Sequence, residues 1–334
     1  MNNLVKNNRT ISLDIARAIT IILVVIGHYI PDNSPNWYVV FHRFIYSFHM
    51  PLFLFISGFI YMQTLKKESY FTFVIRKVKR LMIPYFTTSF LVITIKLLSS
   101  SNASLENPVT PFSYIEMFYS PAAGFFLWFI WVLFIIFLII PFFKTFKAIC
   151  ILSLISIVLY FLPINLPQYF CLAEFKSYFL YFMFGALFFH LPKAKQICKN
   201  ISLYIYFVLL IGLFTLMELS TYFNITVILT ALVGIAAVCK LSIIITRRAN
   251  KSKALFINIS AASYIIYLLH TTFEGVGKAI VPQIITFSNF NISFIICAVL
   301  IVMTGIIGPY LAYVLIQRNK ILCFLFGLKF SHKI

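Results

Sequence analysis

The first apolar segment, residues 10–30, contains three residues that can carry charge, namely Asp14, Arg17 and His28. Such side chains cost free energy inside a bilayer unless they face protein, water or a ligand. On an α-helix, the directions of Arg17 and His28 differ by about 20°, and the two residues are about 16 Å apart along the axis. Asp14 precedes Arg17 by three residues, about one turn. The spacing places Arg17 near the cytoplasmic surface and His28, a candidate base, toward the outer surface. The distance between them resembles the reach of a long phosphorylated carrier arm.

A simpler interpretation of the same residues stays open. Asp14 and Arg17 are three residues apart and can form an ion pair that closes the helix end. His28 can be an interfacial histidine that is hydrogen-bonded to backbone. Their arrangement on a single face favours chemistry over this alternative.

The second apolar segment, residues 42–63, places another histidine, His49, near the outer third of the membrane. In an antiparallel hairpin, His49 and His28 lie at comparable depth, so that one ring can act as base while the other orients a substrate hydroxyl. The alternative is that His49 only satisfies backbone groups at a kink caused by Pro51.

A short basic cluster precedes the third apolar segment and consists of Arg76, Lys77, Lys79 and Arg80. Basic residues next to a span commonly set topology or contact anionic lipid. They serve equally well to bind the phosphates of a cytoplasmic donor, because arginine gives bidentate contacts to phosphate oxygens. Both uses remain open from the sequence.

Two further groups of residues are less specific. Trp128 and Trp131 open the fourth span, where an interfacial aromatic anchor explains them without a function. His270 and Glu274 are four residues apart in the ninth span and share a face. A buried pair that stabilises helix packing and a role in the reaction are both consistent with this spacing.

The elements that must position these residues are membrane helices. The 334 residues are 62% hydrophobic and 10% charged, with a mean hydropathy of +0.98, and a soluble domain of this size does not expose so apolar a surface. The composition predicts an all-α polytopic protein of about ten spans, at residues 10–30, 42–63, 81–98, 125–143, 148–163, 177–190, 201–219, 225–245, 259–283 and 292–316. The first segment is of full spanning length and contains charged residues, so we expect it to remain as a helix rather than to be cleaved as a signal peptide.

The distribution of basic residues predicts the orientation. With the N-terminus in the cytoplasm, 22 of the 27 Lys and Arg residues fall on the cytoplasmic side, in segments 1–9, 64–80, 144–147, 191–200, 240–258 and 317–334. This positive-inside pattern places both termini in the cytoplasm and accounts for the formal charge of +19, so nucleic acid is not expected as a partner. The longest outer loop is 99–124. The six cysteines show neither a disulfide pattern nor metal-ligand spacing, and we predict no metal site.

Taken in order, several short motifs resemble the acyltransferase-3 family of bacterial membrane O-acyltransferases. They are Ser12 to Arg17 followed after ten residues by His28, the run His49 to Phe53 with Ser57 and Gly58, the basic residues Arg76 to Arg80 before Ile83 to Tyr85, Leu127 to Phe129, and Ser263 to His270. Within the family, Phe48 to Leu52 looks most similar to the fucose 4-O-acetylase branch and related surface-polysaccharide O-acetyltransferases.

The resemblance implies a single transmembrane acyltransferase domain over residues 1–334, with a short cytoplasmic tail from about 317. It implies acyl-coenzyme A as donor substrate, acetyl-coenzyme A above all, with no permanently bound cofactor. The acceptor is then a hydroxyl of a surface polysaccharide such as O-antigen, or of its lipid-linked precursor, at the bacterial inner membrane. The partners are the donor, the glycan and membrane lipids.

Carried over by position, the resemblance makes His28 the catalytic histidine and Arg17 its partner. Asp14 and His49 are added to the predicted catalytic group because of their helix face and depth. Arg76, Lys77 and Arg80 bind the donor, and Arg80 is the second arginine of the R-x-x-R motif. Lys77 stands at the first position of that motif, where a lysine gives no bidentate contact and Arg76 is the adjacent substitute.

Neither a direct transfer nor a two-step route through an acylated residue is preferred by the sequence. The rival hypotheses are a transporter or flippase for a glycan or lipid intermediate, whose charges line a substrate path, and a non-catalytic subunit that helps to polymerise or export glycan.

Overall fold

A computed structural model describes residues 2–99, 108–219, 223–247, 250–285 and 290–330 of the chain. These residues form helices and turns and contain no strand. Residues 100–107 of the predicted outer loop 99–124 lie outside the described part.

The helices follow one another along the chain in this order: α1 (Asn2–His28), α2 (Asn36–Tyr46), α3 (His49–Gln63), α4 (Tyr70–Lys77), α5 (Ile83–Ser99), α6 (Ser113–Glu116), α7 (Trp128–Ile139), α8 (Phe146–Phe161), α9 (Leu172–Phe189), α10 (Pro192–Asn200), α11 (Leu203–Leu219), α12 (Phe223–Arg247), α13 (Asn250–Ile284), α14 (Phe290–Ile316) and α15 (Lys320–Leu325). A π-helical turn, Val78–Met82, joins α4 to α5.

Each of the ten predicted apolar segments coincides with helical structure, and the predicted all-α polytopic membrane fold is confirmed. Within the described ranges, eight helical stretches are long and apolar enough to cross a bilayer, and counting α10 and α11 as one span makes nine. The axes of α10 and α11 differ by 94°. The predicted segment 148–163 is realised as α8, which has only 16 residues.

The chain divides into two compact units. Unit 1 consists of Met1–Gln63 and Phe184–Leu311, and unit 2 consists of Thr64–Met183 and Ala312–Ile334. In unit 1, α1 packs against α3, α12 and α13, so the helix that carries Asp14, Arg17 and His28 is surrounded by partners.

The predicted second span, residues 42–63, lies within the single candidate span Asn36–Gln63, which a short turn divides into α2 and α3. Ser47 and Phe48 form a turn between α2 and α3, and α3 begins at His49. Pro51 lies in the first turn of α3, where its missing N–H has no intrahelical partner to lose. The break therefore precedes Pro51, and it places His49 at a helix start.

In unit 2, the π-helical turn has an identifiable cause. Pro84 follows it and cannot donate to the carbonyl of Arg80, which is the acceptor four residues before it. Gly327 lies against this carbonyl, since a Cβ added at Gly327 would be 2.9 Å from Arg80 O. Gly327 has a φ of 66° and ends α15, and the N–H of Leu328 donates to the carbonyl of Cys323 at 2.7 Å, as in a Schellman cap.

Candidate active site

His28 is the last residue of α1, and the helix ends there because Pro31 follows closely. An α-helix pairs each carbonyl with the N–H four residues further on, and Pro31 has no N–H to donate to Gly27. The Gly27 carbonyl accepts a hydrogen bond from His42 Nε2 instead, at 2.7 Å. His28 therefore lies at a helix end where a side chain of α2 hydrogen-bonds the carbonyl group of Gly27.

His49 packs against the same end of α1. Its side chain is 1% exposed, and Nδ1 lies 3.0 Å from the carbonyl oxygen of Ile45. A carbonyl only accepts, so Nδ1 carries the hydrogen and Nε2 is the basic nitrogen of the neutral ring. A Cβ added at Gly27 would lie 3.7 Å from His49 Nε2, which places this nitrogen beside the residue that precedes His28.

The ring of His270, on α13, contacts the ring of His28. The two ring centroids are 4.8 Å apart and the planes are tilted by 55°. His270 is fully buried, and its Nδ1 lies 2.8 Å from the Tyr267 carbonyl and 3.1 Å from the Ile266 carbonyl. By the same reasoning, its Nδ1 donates and its Nε2 is the basic nitrogen.

Glu274 follows His270 by one turn and is 2% exposed. Gly305 of α14 makes room for it, because a Cβ added at Gly305 would lie 2.7 Å from Glu274 Cγ and 2.9 Å from Val25 Cγ1 of α1. A carboxylate thus lies in the packed interior of unit 1 between α1, α13 and α14. The spacing of His270 and Glu274 predicted a shared face, and the side chains of both are buried.

Tyr46 links the histidines, and the sequence analysis did not single it out. Its ring stacks on His42 at 4.3 Å and meets the rings of His49 at 4.6 Å and His28 at 6.5 Å. The available signal was spacing, since Tyr46 lies four residues after His42 and three before His49. His28, His42, Tyr46, His49 and His270 are called the histidine cluster below.

Near the middle of α1, Asp14 and Arg17 form the ion pair that the simpler interpretation predicted, but the helix begins at Asn2, so the pair does not close its end. Arg17 Nη1 lies 3.6 Å from Asp14 Oδ1, and both side chains are about a third exposed. Ser260 of α13 also donates to Asp14 Oδ1, at 3.4 Å. Asp14 and Arg17 are therefore held together on α1, on the helix that ends with His28.

The basic cluster lies in unit 2, and its four cations have different surroundings. Lys77 lies over the ring of Phe137, with Nζ 3.3 Å from the centroid, so it is turned into the unit rather than toward an incoming phosphate. Arg76 pairs with Glu68 and is exposed. Lys79 and Arg80 are exposed. Arg76, Lys79 and Arg80 are thus the exposed cations of the cluster, and Lys79 was not among the predicted donor ligands.

The described residues contain no group of three His, Cys, Asp or Glu side chains arranged to hold a metal ion. The imidazoles of His42, His49 and His270 are each directed to a backbone carbonyl instead. What the cluster offers is a set of ring nitrogens in fixed tautomers around a partly buried histidine, which is an arrangement for proton transfer.

Helices that cross a membrane and a histidine cluster at a helix end define a polytopic membrane protein with the means for acid–base chemistry. Residues 10–314 match the acyltransferase domain that defines the acyltransferase-3 family, and the chain belongs to this family. The family resemblance inferred from the sequence motifs is thereby confirmed.

Curated relatives match over a shorter region. The nodulation protein NolL of Sinorhizobium fredii (strain NBRC 101917 / NGR234) is 38% identical over 96 residues, which is 27% of this chain and 26% of the relative. NolL of Mesorhizobium japonicum (strain LMG 29417 / CECT 9101 / MAFF 303099) is 34% identical over 95 residues, with the same shares. The matched region thus spans about a quarter of the length of these relatives. No solved structure matches the chain.

Proposed function

We propose that this protein is a membrane O-acyltransferase that transfers a short acyl group, acetyl above all, from acyl-coenzyme A to a hydroxyl of a surface polysaccharide or its lipid-linked precursor. The observation that carries the proposal is the histidine cluster around His28 in a chain of the acyltransferase-3 family. The bacterial source of the relatives and the apolar helices support a place in the bacterial cytoplasmic membrane.

In the proposed reaction, His28 is the general base. A ring nitrogen of His28 removes the proton of the acceptor hydroxyl as the oxygen attacks the thioester carbonyl. The new C–O bond forms, the C–S bond breaks, and the proton passes from His28 to the departing thiolate of coenzyme A. Proton and electron pair are thus balanced without a further reactant. The histidine at the end of α1 is well suited because its neighbours are held in fixed positions.

The donor is a polyanion, and the exposed cations of unit 2 fit its phosphates. Arg80 can present two parallel N–H groups to phosphate oxygens, and Lys79 adds a point charge. Arg76 must exchange its ion pair with Glu68 before it binds phosphate in the same way. The π-helical turn supports this assignment, because such turns are frequent at functional sites.

The proposed function is tested by mass spectrometry of the surface glycan from cells with and without this chain. We expect a gain of one acyl group per repeat that depends on His28. Cells expressing His190→Ala serve as control, because His190 lies after α9 and outside the histidine cluster. Unchanged acylation together with altered glycan export would contradict the proposal and favour the transporter.

A separate prediction concerns the donor. Arg80→Ala is expected to raise the apparent KM for acetyl-coenzyme A by about tenfold, since one charge-assisted contact contributes roughly 1.5–3 kcal/mol before solvent screening of this exposed side chain reduces it. The KM for the acceptor and the kcat should change less than twofold. Steady-state kinetics on protein in nanodiscs measure these constants.

The matched control for this prediction is Arg247→Ala, an exposed arginine that ends α12 in unit 1. It should leave the donor KM unchanged. If Arg80→Ala lowers kcat alone, or if the two variants behave alike, the basic cluster does not bind phosphate, and the lipid-contact interpretation gains support.

A further inference from the structure

Helix α2 holds the end of α1 at two backbone carbonyls, one on each side of His28. His42 Nε2 donates to the Gly27 carbonyl at 2.7 Å, and the Tyr38 hydroxyl donates to the Tyr29 carbonyl, also at 2.7 Å. Tyr38 and His42 are four residues apart, so both side chains project from one face of α2. The residues before and after His28 are thus each bonded to the same helix.

The bond to Gly27 replaces a contact that the sequence cannot make within α1, and the bond to Tyr29 holds the residue just beyond the end of that helix. Gly27 would be paired by the N–H of residue 31 in a continuing helix, but residue 31 is proline. Proline also disfavours helical geometry at Ile30, so α1 cannot extend past His28. A buried carbonyl without a donor costs about 1–3 kcal/mol, and a donor from α2 avoids that cost.

The surroundings show that this end of α1 is firmly packed. Tyr38 is 5% exposed and Tyr29 is 4% exposed, and their ring centroids are 6.2 Å apart. His42 stacks on Tyr46, which also contacts the rings of His49 and His28. The clamp formed by Tyr38 and His42 is therefore continuous with the histidine cluster.

We propose that Tyr38 and His42 are positioning residues that fix the backbone on both sides of His28 and thereby aim its imidazole at the reacting groups. His42 acts here through its Nε2–H as a hydrogen-bond donor, without taking up a proton itself. This inference rests on the proposed function for the role of His28. It predicts that His42 is replaceable by any side chain that delivers an N–H to the Gly27 carbonyl.

The activity test uses four variants of the full chain in nanodiscs. His42→Ala is expected to lower kcat by about 10- to 100-fold with the donor KM within about twofold, because misplacing a reacting group by about 1 Å costs up to about 10²-fold. His42→Gln retains an N–H at the position of Nε2 and should stay within about threefold of wild type. Tyr38→Phe removes a single hydroxyl and should lower kcat by about 3- to 10-fold.

The decisive variant is the double substitution Pro31→Ala with His42→Ala. Alanine restores an N–H at position 31 and removes the restriction on Ile30, so α1 can pair its own Gly27 carbonyl. His42→Ala lowers log kcat, and we expect the double variant to recover at least about half of that decrease. His190→Ala, the histidine outside the cluster, should equal wild type.

Hydrogen–deuterium exchange of the segment 24–34 provides a readout that does not depend on activity. Exchange should rise in His42→Ala and Tyr38→Phe and return toward wild type in His42→Gln and in the double variant. If exchange follows this order while the wild type transfers no acyl group, the proposed function is wrong, but the role of Tyr38 and His42 in holding the end of α1 is supported. If His42→Gln is as inactive as His42→Ala, or the double variant recovers neither kcat nor protection, the inference is overturned.

Discussion

Replacing His28 by alanine is expected to lower the rate of acyl transfer by about 10²- to 10⁴-fold, which is the usual loss when a general base is removed. His28→Gln should be nearly as inactive, because an amide keeps polarity and hydrogen bonding but takes up no proton at neutral pH. The amount of inserted protein should stay normal in both variants, since His28 is the last residue of α1 and is only partly buried. Mass spectrometry of the glycan measures the loss of acyl groups. Immunoblotting measures the amount of inserted protein.

The matched control is His190→Gln, which makes the same chemical change outside the histidine cluster. A purely structural histidine would behave differently from a base, since its loss would reduce protein level and turnover together. A His28→Gln variant that is present at the wild-type level and still decorates the glycan at close to the wild-type extent would contradict the proposed base. The next candidate would then be His49, or the transporter hypothesis would replace the enzyme.

The parts of the fold that could be predicted from the sequence are those that depend on local composition. Runs of apolar residues predict helices because backbone polar groups in a bilayer must be paired within the segment. One apolar run contains both Arg17 and His28, which predicts that they share a helix, and the structure places both on α1. The turn between α2 and α3 was not predicted, because Pro51 suggested a kink at its own position. The chain turns earlier, at Ser47 and Phe48.

Contacts between distant segments could not be predicted in the same way. His270 meets His28 from a helix that begins more than two hundred residues later, and spacing within one helix carries no information about such a contact. The hydrogen bond from His42 to Gly27 depends on the turn that brings α2 back against α1. One local clue was available, since Pro31 four residues after Gly27 leaves a carbonyl that needs a donor from elsewhere.

The basic cluster shows a different reason for an incomplete prediction. Four cations in five residues look equivalent in the sequence, but helical geometry points them in different directions. Lys77 meets Phe137 of α7, and a lysine over an aromatic face is stabilised by the ring quadrupole. The predicted assignment of Arg76 and Arg80 to the donor remains a prediction, and Lys79 joins them because it is exposed.

Among the glycines described in unit 1, Gly185 leaves the least room for an added Cβ. A Cβ added there would overlap the carbonyl oxygen of Phe55 and lie 2.8 Å from its carbonyl carbon, so the backbones of α9 and α3 are in contact. Small residues at membrane-helix interfaces permit this approach, and close packing then supplies much of the stability. Because the obstacle is backbone, rotation of a side chain cannot relieve it, and the two helices must separate.

Gly185→Ala is therefore expected to lower the free energy of unfolding by about 3 kcal/mol, the upper end of the usual cost of overpacking. Separation of α3 from α9 should also disturb His49 at the start of α3, so activity per inserted molecule should fall as well. The control is Gly212→Ala on α11, where no atom lies within 4 Å of the added Cβ and stability should be unchanged or slightly higher. Thermal unfolding of the two purified variants in detergent measures the difference, and equal melting temperatures would show that α3 and α9 do not approach as closely as described.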